Sequence, residues 1–93
     1  MNAQKKEILK RAIKENVELS DILQRTNAIL KNMVTEELKK ENPANYEFKQ
    51  GNDYLAHLKV IHQLNERINF NEVEIGVLGK QYVEWCKQLE EDK

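Results

Sequence analysis

Cysteine, proline, glycine and aromatic residues are all scarce in this 93-residue chain: one Cys, one Pro, three Gly, and Phe, Trp and Tyr at 6% together. The lone thiol, Cys86, has no second cysteine with which to form an internal disulfide. That suits a reducing compartment and sets the expectation of a cytoplasmic protein. Little Gly and Pro beside 40% apolar residues marks a globular composition rather than a disordered one. Also missing is an excess of one charge. Against 15 Lys and Arg stand 16 Asp and Glu, so no overall field points to nucleic acid or to a membrane surface. No apolar run approaches the roughly 20 residues that span a bilayer. The opening MNAQKKEILKRAIK has no uninterrupted apolar core of the kind a secretory signal needs. Gly76 and Gly79 belong to no phosphate loop or dinucleotide fingerprint, because the flanking strand and further glycines are absent; their expected role is to let another helix come close. At this length the chain forms one domain with a modest core and little room for a deep cleft. Lysine outnumbers arginine and asparagine is frequent, choices that follow A- and T-rich codons and suggest a bacterial or phage genome.

What is present is helical periodicity. Residues 3–40 contain no Gly or Pro, and their apolar residues, from Ile8 and Leu9 to Val34 and Leu38, recur in pairs three to four apart. That is the mark of an amphipathic helix with a broad stripe, here interrupted by Asn16 and Thr26. The segment ENPANYEFKQGN collects Pro43, Gly51 and three asparagines and reads as a loop over residues 41–51, with Tyr46 and Phe48 pinning it to the core. Asn52 or Asp53 caps a second helix over 52–69. Its seam carries Tyr54, Leu58, Ile61 and Ile68, widened by Leu55 and Leu64, with Asn65 at one seam position. In the stretch FNEVEIGVLGKQYVEWC, Val73, Ile75 and Val77 alternate with polar or small residues as in a strand. Yet Ile75, Leu78, Tyr82, Trp85 and Leu89 fall at helical spacing, and Asn71, Glu74, Phe70 and Ile75 supply a cap, a capping box and a hydrophobic staple. A third helix over 71–91 is therefore expected.

The expected fold is all-α: a small helical bundle of three long helices, the first either unbroken or broken near residues 16–20. Lengths make this choice matter. A straight helix over 3–40 is about 57 Å long, whereas a compact chain of this size is only about 32 Å across. Either the helix bends at KENVELSD, with Ser20 capping a new segment, or part of its apolar stripe projects and needs a partner.

Few residues suggest chemistry. His57 and His62 are five apart, about 140° around a helix, and cannot share one metal. His62 and Glu66 are four apart but lack a third ligand, so both histidines read as surface or boundary residues. Cys86 beside Trp85 has no base linked to it and reads as a buried structural thiol. Asn16 and Asn65, in otherwise apolar seams, are candidates for fixing helix register. Glu36, Glu37, Glu72, Glu74, Glu90 and Glu91 lie on charged faces or ends without a pairing that suggests acid–base work. No catalytic residue, cofactor, metal or small-molecule substrate is expected.

Function then rests on surfaces. The expectation is a protein–protein interaction module that binds and modulates a larger protein, or associates with itself, through the apolar face bearing Ile22, Leu23, Ile29, Leu30, Met33 and Val34. Lys5, Lys6, Lys10, Arg11 and Lys14 give residues 1–14 a net charge of +4, enough to steer an acidic partner or touch phosphates. The alternative is a small DNA-binding transcriptional regulator with a degenerate helix-turn-helix at residues 5–27. Ala12, Asn16, Val17 and Ile22 fit its spacing, but Arg11 and Arg25 stand where apolar residues belong and the turn glycine is absent.

Overall fold

The first helix starts where a cap is available. Asn2, extended at φ −76° and ψ 166°, accepts a hydrogen bond from the Lys5 backbone N–H at 2.8 Å. From there α1 runs without interruption over Ala3–Lys39. A second helix, α2, covers Gly51–Glu91. These are the two elements of a computed structural model that describes residues 1–42, Phe48 and residues 51–92. They lie antiparallel: the Met1 amino group meets Asp92 at one end, and Glu37 meets His57 at the other. The result is a hairpin 66 × 18 × 16 Å in extent.

Three helices are thus corrected to two. Residues 70–86 are helical, as their spacing predicts, but Asn71 is not a cap. It sits buried in the middle of α2, where its side chain donates to Asn27 rather than to a helix start. A break there would leave four N–H and four C=O groups without partners, and the two glycines that follow cost only about 1 kcal/mol each inside a helix. Nor does α1 bend near residues 16–20, for Asn16 bonds across to α2 and Ser20 remains in the helix. The length problem resolves without a bend, because a 41-residue α2 covers a 37-residue α1 from end to end. Joined, the expected second and third helices are as long as the first.

The contact seam on α1 advances in alternating steps of three and four: Lys6, Leu9, Ile13, Asn16, Ser20, Leu23, Asn27, Leu30, Val34 and Glu37, all buried or half-buried. The facing seam on α2 keeps the same rhythm from His57 through Ile61, Leu64, Ile68, Asn71, Ile75 and Leu78 to Trp85 and Leu89; Tyr82, on the same row, is exposed. Such a period averages 3.5 residues, the repeat that keeps two helices facing along a coiled coil. It passes through His57 rather than Leu58, and Asn65 lies outside it, exposed. Ile68 is the only buried apolar residue among those described, while Asn16, Asn27, His57 and Asn71 are buried polar ones.

Among the described residues, every buried polar side chain is answered. Asn16 Nδ2 donates to the Leu78 carbonyl at 3.0 Å, Asn27 Nδ2 to the Ile68 carbonyl at 3.1 Å, and Asn71 Nδ2 to Asn27 Oδ1 at 2.9 Å. No buried side-chain nitrogen or oxygen among the described residues lacks a partner. Layers of this kind add little net stability but penalise a slipped register, which would bury the amides unpaired. Gly76 and Gly79 do not admit α1 closely: a Cβ on either would meet nothing within 4 Å.

Candidate docking face

Two groups of residues depart from what a hairpin alone requires: the apolar side chains left outside, and the polar cluster at the loop end of the seam.

On α1, the row beside the seam keeps the same steps of three and four; its apolar members are Ile8, Ala12, Leu19, Ile22, Ile29 and Met33, with Glu15 and Thr26 between them. With 3.5 residues per turn its centre lies about 100° around the helix from the seam. Apart from the half-buried Ala12, these apolar side chains are exposed. Ile8 is 62% exposed, Ile22 57%, Ile29 61% and Met33 47%. The six residues expected to form one binding face are therefore divided. Ile22, Ile29 and Met33 point outward, whereas Leu23, Leu30 and Val34 are half-buried in the seam against α2. Ile8, Ala12 and Leu19 join the outward row and extend it toward the N-terminus. Their heptad spacing was in the sequence, but the neighbouring seam residues masked it.

The same flank of the hairpin includes part of α2. A shallow groove of about 400 Å³ is lined by Ile29, Met33, Val60 and Leu64. Near the other end, Ile8, Leu9 and Ala12 line a second, of about 360 Å³, with Trp85 and Gln88. Val60 and Gln88 occupy equivalent heptad positions of α2, so one flank of the hairpin runs past both. Phe70 and Val77, each 55% exposed, stand at the outer edge of it.

The basic residues do not form a single site. Lys5, Lys10, Arg11 and Lys14 are exposed; Lys6 is half-buried with its ammonium 4.0 Å from Asp92, and Lys10 lies 3.6 Å from Glu7. Residues 5–27 are one stretch of α1 and lack the turn a helix-turn-helix needs.

At the loop end, His57 is buried, not a surface residue. Its Nδ1 is 2.8 Å from Glu37 Oε2 and its Nε2 2.8 Å from Glu41 Oε1, while Glu37 also accepts from Lys40 Nζ at 2.9 Å. Burial alone disfavours a charged ring, but the hydrogen bonds and charges of the two carboxylates outweigh it and raise the His57 pKa above its ordinary value. The bond from Lys40, then that from His57, lowers the Glu37 pKa. Phe48 packs on this cluster, 4.6 Å from the His57 ring and 5.6 Å from Tyr54. Phe48 thus does pin the loop end; Tyr46 lies outside the described residues. The cluster is a clasp: its carboxylates engage opposite ring nitrogens. Among the described residues, no group of three or more His, Cys, Asp or Glu is placed to hold a metal ion. His62 pairs with Glu66 at 3.0 Å on the surface. Cys86 is half-buried rather than buried, one helical turn from Tyr82, whose pKa is raised by interaction with the thiol. No helix among the described residues is long and apolar enough to cross a membrane.

No family model, curated protein or solved structure matches this chain.

Proposed function

We propose that this chain is a cytoplasmic protein–protein interaction module, and that it docks a helical partner along the outward face of α1. One observation carries the reading: Ile8, Leu19, Ile22, Ile29 and Met33 are exposed along one side of an unbroken helix, with half-buried Ala12 and Thr26 and the polar Glu15 between them. A row about 38 Å long on a helix about 11 Å wide amounts to roughly 400 Å² of mostly apolar surface, a size that in soluble proteins usually marks an interaction site. The heptad spacing of the row fits an amphipathic helix laid alongside, since knobs at such intervals fill the holes of a facing helix. Occupying this face is how the chain would modulate a larger protein.

A photoreactive phenylalanine at position 29 tests this. It should form adducts with protein in cells that produce the chain, as should one at position 22, whereas a probe at position 14 should not. If probes at 8, 22 and 29 all yield only the unmodified chain, the docking face is refuted.

A further inference from the structure

We infer that the partner on this face is a second copy of the same chain, running antiparallel so that two hairpins form a four-helix bundle. The inference rests on the docking-face reading and names its occupant. The first ground is a symmetry in the row itself. Reversed about its midpoint, between Ser20 and Asp21, the row maps onto itself: Ile8 meets Met33, Ala12 meets Ile29 and Leu19 meets Ile22. An antiparallel two-fold contact demands this self-complementarity, each residue meeting its mirror position on the other copy.

Charge agrees with the same axis. Beyond the apolar positions, the reversal sets Lys5 against Glu36 of the second copy, and the flanking row sets Glu18 beside Arg25 of the second copy. Each contact occurs twice. Both like-charged alternatives, Glu18 on Glu18 and Arg25 on Arg25, belong to slipped alignments, so the pairs select this register. Within its own chain Arg25 reaches Asp21 at 3.1 Å, on the neighbouring surface, where both are well exposed.

The second helix supplies an independent check. Asn16 bonds the Leu78 carbonyl and Asn27 that of Ile68, so the α1 midpoint lies level with α2 near Glu74. The exposed pair Phe70 and Val77 on the shared flank has its own midpoint between Val73 and Glu74. One axis therefore serves both helices. Glu74 sits at that level and keeps the α2 side polar, so α1 carries the contact. An angle of about 100° between the two α1 rows is close to the right angle of a square four-helix bundle. With about 400 Å² of projected surface from each copy and the α2 flank added, the interface reaches the roughly 1,000 Å² that specific association needs.

Light scattering over a dilution series, combined with cysteine cross-linking in a Cys86→Ser background, tests the inference. The parent should be a dimer at micromolar concentration. Ile22→Asp should remain helical and become monomeric, its dimer Kd raised about a thousand-fold, because the symmetry applies the loss twice. A mixture of Ile8→Cys and Met33→Cys chains should form disulfide-linked dimers, and Met33→Cys alone should not. Cross-linking of Met33→Cys with itself would mean a parallel pair and overturn the antiparallel arrangement. A parent that is monomeric at every concentration overturns the second copy as occupant. Adducts at position 29 with another protein would then leave the docking face standing, and their absence would remove both.

Discussion

Asn27 is the residue whose loss the hairpin should feel most sharply. It is 5% exposed and its neighbour Asn71 3% exposed. The Asn27 amide donates to the Ile68 carbonyl at 3.1 Å and accepts from Asn71 Nδ2 at 2.9 Å. In Asn27→Ala the Ile68 carbonyl keeps its partner within the helix, but the Asn71 Nδ2 is left in a site with almost no water. An unsatisfied buried donor costs about 1–3 kcal/mol, and truncating a packed side chain adds to that, so a loss of about 2–3 kcal/mol is expected. Total stability for a chain of this length is of order 5–14 kcal/mol, and a single buried apolar residue among those described puts this hairpin toward the low end. The melting temperature should fall by about 10–20 °C. In Asn27→Leu/Asn71→Leu both partners become apolar, and the pair should lie within about 1 kcal/mol of the parent or above it. The assay is thermal and urea unfolding followed by circular dichroism at one fixed protein concentration, with both single variants measured to close the cycle. If Asn27→Ala stays within about 0.5 kcal/mol of the parent, or the double variant is as weak as the sum of the singles, the amide layer does not set the register.

Neighbouring residues 29 and 30 should behave oppositely: Leu30→Asp, in the seam, should unfold the hairpin, and Ile29→Asp, on the outer row, should leave it helical, both read by circular dichroism. The clasp should give a pH window. A raised His57 pKa contributes stability present below the ordinary 6.5 and lost as pH climbs through the folded value. A lowered Glu37 pKa contributes stability present above the ordinary 4.5 and lost as pH falls through the folded value. The melting temperature should therefore peak between pH 4.5 and 6.5, and His57→Ala should flatten the alkaline limb of that profile. Gly76→Ala and Gly79→Ala meet open space and should each stabilise α2 by about 0.5–1 kcal/mol in urea titrations.

Helix content was legible because the periodicity is strong over long segments, and the α1 boundaries agree with it to within a residue. The error at Asn71 has a physical source. Cap, box and staple describe what a chain can do locally, and the same Asn serves equally well as a buried layer once Asn27 stands opposite it. Only the antiparallel pairing of two long helices, a contact 44 residues apart in sequence, decides between those roles. His57 was misplaced for the same reason, since the carboxylates that make its burial tolerable lie 20 and 16 residues upstream.

The undivided stripe on α1 had a different origin. Of the ten seam positions from Lys6 to Glu37, five are apolar; of the ten outer-row positions from Lys5 to Glu36, six are. Hydrophobicity therefore cannot rank the two rows, and a reading by periodicity merges Leu23, Leu30 and Val34 with Ile22, Ile29 and Met33. A hairpin selected to stand alone would concentrate its apolar residues in the seam and leave the outside polar. Here the seam spends positions on Asn16, Asn27 and Glu37, which bond across to α2 and select one register, while the greater apolar share faces out. In that division the seam defines which surfaces are presented, and the outer row is the surface proposed to carry association. Under the docking proposal, a helix laid along Ile8 to Met33 would supply the apolar burial that the hairpin leaves undone.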